Sequence, residues 1–128
     1  MSDNTTFIHH VGITAPPEVL MEVMTFYDRI LGLKPGFRPK FGDLKGHWLY
    51  SGENPIVHLL EDSNREGKKS GYFDHLALRC TDLNDVISKL QEHGIKYRQF
   101  EMQELNQIQL FLKDPSGTLV ELNFEVSA

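Results

Sequence analysis

The run Asp74-His75-Leu76-Ala77-Leu78 sets a histidine inside an apolar, strand-like stretch, and Phe7-Ile8-His9-His10-Val11-Gly12-Ile13 has already done the same near the start of the chain. His10 and His75 lie 65 residues apart. Each is followed by a second polar residue in another apolar run, His58 in Ile56-Val57-His58-Leu59 and Glu121 in Leu119-Val120-Glu121-Leu122, and these are 63 residues apart. A chain of 128 residues is about two such units long. Neighbouring residues of a strand point to opposite faces. Val11 and Ile13 therefore oppose His10, Val57 and Leu59 oppose His58, Leu76 and Leu78 oppose His75, and Val120 and Leu122 oppose Glu121. All four polar residues share the face that the apolar set avoids.

The elements between these runs repeat as well. Each half reads strand, helix, then three strands. The first strand is expected over Phe7–Ala15, followed by Pro16 and Pro17, which suit a helix start because the missing N–H is not needed there. From Glu18 to Leu31 the residues Leu20, Val23, Met24, Tyr27, Ile30 and Leu31 keep helical spacing, and Gly32 ends the helix. Strands are expected near Lys34–Arg38, Gly46–Ser51 and Pro55–Glu61. The polar, glycine-bearing segment 62–71 reads as a linker between a module 1–61 and a module 72–128 within one domain. The second module opens with a strand at Tyr72–Arg79. A helix capped by Thr81 or Asp82 follows, with Leu83, Val86, Ile87 and Leu90 on one face and Gly94 at its end. Strands near Ile95–Glu104, Asn106–Lys113 and Thr118–Glu125 complete it, the last two joined by the turn Asp114-Pro115-Ser116-Gly117. Carrying the offset of 63 to the third strands sets Trp48 against Phe111. Trp48 and Tyr50, with Gln107, Gln109 and Phe111, then line the polar face as a substrate-binding wall.

Composition narrows the function. Hydrophobic residues make up 40% and charged residues 24%, with a net charge of -5 and no basic stripe, which argues against nucleic-acid binding. The opening Met1–Thr6 has neither the basic nor the apolar region of a signal peptide, no run approaches membrane-spanning length, and Cys80 is a lone cysteine. A cytoplasmic protein with no membrane partner is expected. Nucleotide-binding glycine loops, paired CxxC motifs and a GxSxG elbow are absent.

Imidazole and carboxylate together suit Fe, Mn, Co, Ni or Zn, and sets of two His and one carboxylate leave room for substrate. Singly, a strand His or Glu is more often a packed or solvated residue; four of them, paired by the repeat on one face, point to a site for one divalent metal ion. His9 and His47 fall on the helix-facing side, and His93 sits in the last turn of the second helix, where a partial positive charge suits the helix dipole. None of the three joins the site. Cys80 reads as a small packed thiol, and Arg38, Lys40 and Arg98 read best as surface charges.

These residues resemble the vicinal oxygen chelate superfamily, which includes glyoxalase I, fosfomycin-resistance proteins, methylmalonyl-CoA epimerase, extradiol dioxygenases and bleomycin-resistance proteins. The likeness spans the chain and is most specific at His10-Val11-Gly12-Ile13, Phe26-Tyr27-Asp28-Arg29-Ile30-Leu31-Gly32-Leu33, Asp74-His75-Leu76-Ala77 and Asp114-Pro115-Ser116-Gly117-Thr118-Leu119-Val120-Glu121. It implies an α+β fold of two βαβββ modules forming a cupped mixed sheet around one divalent metal, which substrates chelate through adjacent oxygens. By position, His10, His75 and Glu121 match the family's ligands. His58 stands where relatives carry Glu or Gln, so it is either a fourth ligand or an acid/base group. The resemblance implies a homodimer, a small-molecule substrate, and lyase, isomerase or epimerase chemistry, with Glu121 or His58 moving a proton. Two rivals keep the same cup: an Fe(II) extradiol-type dioxygenase acting on a catechol-like aromatic, and a non-catalytic resistance protein holding a small aromatic between Trp48, Tyr50 and Phe111.

Overall fold

The computed structural model describes residues 8–66 and 75–126. The first sheet consists of β1 (Val11–Ala15), β2 (Lys34–Gly36), β3 (Gly46–Ser51) and β4 (Asn54–Glu61), in the spatial order β1-β4-β3-β2. The second consists of β5 (His75–Cys80), β6 (Arg98–Met102), β7 (Gln107–Lys113) and β8 (Leu119–Glu125), in the order β5-β8-β7-β6. Helix α1 (Pro17–Leu31) crosses from β1 to β2, and α2 (Leu83–Glu92) crosses from β5 to β6. Each sheet is mixed, with β1 parallel to β4 and β5 parallel to β8 while the remaining pairs are antiparallel. This is the α+β, twice-repeated βαβββ arrangement expected from the sequence. No helix among the described residues is long and apolar enough to cross a membrane.

The register confirms the repeat residue by residue. Gly12 pairs with His58 and Ala77 with Glu121; Trp48 pairs with His58 and Phe111 with Glu121. The overlay of Trp48 on Phe111 is thereby met.

Several boundaries differ from expectation, among them the end of β2, which stops at Gly36 and not at Arg38. The β1 ladder begins at Val11↔Val57, two residues past Pro55, which has no N–H to donate, so His9 and His10 precede the strand. The strand expected from Ile95 starts only at Arg98, because the Ile95 amide still caps α2 by donating to the Leu90 carbonyl. It also stops at Met102, where a single 3-10 turn (Gln103–Leu105) intervenes. Residues 67–74, with part of the expected linker and the start of the second module, lie outside the described residues, as does Phe7.

Both helix ends follow from local chemistry. Pro17 opens α1, and Gly32 (φ 70°) closes it in a left-handed turn, with its N–H on the Asp28 carbonyl and the Leu33 N–H on that of Tyr27. Asp82, not Thr81, caps α2; its carboxylate accepts the Asp85 N–H at 3.2 Å.

The apolar faces of both sheets share one core. Leu49, Val57 and Leu59 from the first sheet and Leu110, Leu112, Val120 and Leu122 from the second belong to a single buried cluster with Leu20, Val23, Tyr27 and Ile30 of α1 and Val86 and Leu90 of α2. One polar contact ties the halves inside that core. The Tyr27 hydroxyl, on a fully buried ring, donates to Asp114 Oδ2 at 2.8 Å, and Asp114 is itself buried. The other Asp114 oxygen organises the β7–β8 turn, accepting the Ser116 N–H at 2.8 Å and the Thr118 N–H at 3.2 Å. Burial first, and the neighbouring carboxylate second, push the Tyr27 hydroxyl far above its ordinary pKa, so it remains a donor.

A Tyr27→Phe substitution keeps the ring and strands Asp114 Oδ2 in the core. It should lower stability by about 1–3 kcal/mol, read as a reduced urea midpoint at unchanged slope. A loss within experimental error would mean that this contact does not tie the halves together.

Candidate functional site

The second sheet places His75 at the start of β5, Glu121 in the middle of β8, and Gln109 and Phe111 on β7. His75 Nε2 lies 3.2 Å from Glu121 Oε1. Glu121 is only 8% exposed. A buried carboxylate requires donors, and its second oxygen has two: Asn123 Nδ2 at 2.7 Å and Gln109 Nε2 at 3.3 Å. These amides fix the carboxylate with Oε1 toward the imidazole. Phe111 meets His75 edge-on, with ring centroids 6.1 Å apart, and Phe100 of β6 meets Phe111 in the same way at 5.7 Å.

The first sheet builds its own pair differently. The His10 and His58 rings stack at 3.8 Å with 9° between their planes, and Trp48 stacks on the other face of His58 at 4.0 Å and 10°. His58 Nε2–H donates to the Pro55 carbonyl at 2.9 Å, which fixes the neutral tautomer and leaves Nδ1 with a lone pair. Burial, and then the nearby His10, hold the His58 pKa below its ordinary value; the Pro55 carbonyl opposes them. Phe41 lies 6.3 Å from Trp48, and the Arg38 guanidinium lies 5.0 Å over Phe41. Tyr50, expected to line the site, braces the loop after β2 by donating to the Phe37 carbonyl at 2.5 Å.

His9 corrects the alternation argument. It was expected to face away from His10, yet its Nδ1 lies 2.9 Å from His10 Nδ1, because both residues sit ahead of the ladder that enforces alternation. His93 is the C-terminal cap of α2, away from both pairs. Burial pushes the Cys80 thiol up to about 11, so it is held protonated, in keeping with a packed thiol.

The four expected metal-site residues thus come together as two pairs, one on each sheet. Among the described residues no three His, Cys, Asp or Glu side chains gather as a metal-binding group. The sequence reading missed Asn123, which makes the shorter amide contact to Glu121. Its position two residues along the same strand, hence on the same face, was the available signal.

A family model described as the Glyoxalase/Bleomycin resistance protein/Dioxygenase superfamily matches residues 8–122. The chain belongs to this superfamily. It is 31% identical over 124 residues to a protein of Arabidopsis thaliana named Glyoxylase I 4, covering 91% of this chain and 70% of that one. Among solved structures, a glyoxalase family protein of Bacillus anthracis superposes with a TM-score of 0.75 at 21% identity, covering 98% of this chain and 99% of the other. A fosfomycin resistance protein, FosX, of Listeria monocytogenes, solved with Mn(II) and 1S,2S-dihydroxypropylphosphonic acid, gives 0.69 at 12% identity, covering 98% and 95%. Both superpositions show the shared glyoxalase-like fold.

Trp48 shields His58 from water, so its removal should let the imidazole charge more easily. In metal-free protein, the His58 ring resonances should titrate below the ordinary histidine range and move up toward it in Trp48→Ala. A midpoint that the substitution leaves unmoved would show that stacking does not govern His58.

Proposed function

We propose that this superfamily member is a divalent-metal-dependent enzyme whose site is completed between two copies, His10 and His58 of one chain facing His75 and Glu121 of another. The observation that carries this reading is the placement of one donor pair on each sheet, at equivalent register, on the faces opposite the shared apolar core. Among the described residues of one chain the two pairs do not gather into one metal-binding group, and a two-fold pair of chains would join unlike faces twice.

The donors fit the group. Two imidazoles and one carboxylate, those of His10, His75 and Glu121, are ligand types that hold Fe, Mn, Co, Ni or Zn; His58 would either complete the set through Nδ1 or keep that lone pair as an acid/base group, and the carboxylate is already oriented by amides in the manner of outer-shell support. When bound, such an ion supplies Lewis acidity to a substrate bearing two nearby oxygens. The chain's own residues would supply the proton transfer. His58, neutral with an Nδ1 lone pair, is suited to accept a proton near neutral pH, and Glu121 Oε1, turned out of its amide brace toward His75, is the second acceptor. The chemistry that fits is lyase- or isomerase-type proton transfer on a small substrate. The stacked rings of His10, His58 and Trp48 also favour a second reading, in which the same cup holds a planar aromatic, either unchanged or, with Fe(II) bound, as the substrate of an extradiol-type oxygenation.

Two variants separate a shared site from a contained one. His10→Ala/His58→Ala and His75→Ala/Glu121→Ala should each lose metal when purified alone. Refolded as a mixture, they should recover about a quarter of the wild-type metal content, because half the dimers pair one intact face with another. No recovery would place each site within one chain. No metal in the wild-type protein after anaerobic purification and titration would leave the binding-protein reading. Iron as the native metal would favour the oxygenase.

A further inference from the structure

The strand register sets three residues in one row across the second sheet. Glu121 on β8 pairs with Phe111 on β7, and Phe111 pairs with Arg98 on β6. In-register neighbours project to the same face, so Arg98 stands two strand spacings, about 10 Å, from Glu121 with an aromatic ring between them. The guanidinium lies over Phe100, 5.1 Å from the ring centre. It makes no ion pair with a carboxylate among the described residues. By contrast, Arg79 on the same sheet is neutralised by Glu125 at 2.9 Å.

Beside this row runs an open groove of about 1100 Å³, walled by Phe100, Phe111 and Leu119, whose charged lining residues are Lys96, Arg98 and Lys113. All three are cationic, in a chain whose net charge is -5. The first sheet has no counterpart. The equivalent row runs from His58 through Trp48 to Gly36, where a Cβ would meet the Tyr50 ring at 2.8 Å. Arg98 is therefore not demanded by the module, which forms without a cation at that position.

Apolar walls, a ring platform and a cation without a carboxylate partner together describe the complement of an amphipathic anion. We infer that Arg98 is a specificity-determining residue, and that the substrate is an elongated molecule with a planar or apolar middle over Phe111 and a carboxylate at the Arg98 end. Its reacting oxygens would lie toward Glu121. The inference rests on the reading of this face as one wall of the substrate cup, and it names the substrate class for that cup.

The test uses 1-naphthylacetate and its neutral isostere 1-naphthylacetamide as probes, titrated into ¹⁵N-labelled protein in the presence of EDTA. The carboxylate should bind about tenfold more tightly, as a charge-assisted pair predicts, with amide shifts centred on β6 and β7. Arg98→Gln should bring the two probes to equal affinity without changing that of the amide, and Arg98→Lys should retain part of the preference. Equal affinities in the wild-type protein, a preference that survives Arg98→Gln, shifts confined to other elements, or no saturable binding of either probe would each overturn the inference. Because no metal is present in the titration, the two readings fail separately. A protein that binds metal but shows no charge preference keeps its proposed function and loses this substrate class. One that shows the preference but never takes up metal keeps the class as a binding protein.

Discussion

Two sheets bury their apolar faces in one core, and that constraint decides where every other side chain can be. A strand offers only two faces. Once Val57 and Leu59, and likewise Val120 and Leu122, are committed to the shared interior, His58 and Glu121 must project from the other side of their sheets. A slip of one residue in either ladder would carry the donors into the core and the leucines into water. The two close approaches of the first module serve the same registers. A Cβ at Gly46 would lie 2.1 Å from the Leu59 carbonyl, so only glycine allows β3 to sit against β4 as it does. Tyr50 reaches back to hold the loop after β2, which brings Phe41 to Trp48 and Arg38 to Phe41.

The repeat and the strand faces were legible in the sequence because both depend on periodicity. Position along the chain sets the face of a strand residue, and equal offsets set equal places in two copies of a module. What periodicity does not contain was harder to see. His9 touches His10 because the ladder begins one residue after His10, and where a ladder begins depends on a partner strand 46 residues away at Val57. Arg38 and Arg98 read as surface charges in the sequence because nothing local marks a cation that lies over a ring. Their places come from Phe41 and Phe100, and from a β6–β7 register that sets Arg98 opposite Phe111. Nor does periodicity say how the two modules meet, since that is fixed by the helices and by one buried tyrosine reaching across 87 residues to an aspartate.

The duplicated halves differ on the face turned away from the core while keeping the residues that carry the fold. Leu49 and Leu59 in one sheet have Leu112 and Leu122 as counterparts in the other, all of them buried. On the opposite face, His58 stands where Glu121 stands, Trp48 where Phe111 stands, and Gly36 where Arg98 stands. One half therefore offers a stacked imidazole pair against a broad indole; the other offers a braced carboxylate beside an imidazole and a row ending in a guanidinium.

That divergence has a physical consequence for how a cup could work. Two copies of the His10–His58 face would bring together four imidazoles with no anion to balance a cation. Two copies of the His75–Glu121 face would place two carboxylates, each with one imidazole, around one centre and leave the His10–His58 pair unused. Unlike faces have neither fault. In such a pairing the imidazoles would supply nitrogen donors, the carboxylate would supply the charge, and one Arg98 would stand at one end of each ring platform. On the proposed reading, pairing unlike faces would set nitrogen donors against a carboxylate and would give each cup a direction, with Glu121 at one end, Arg98 at the other and aromatic rings between them.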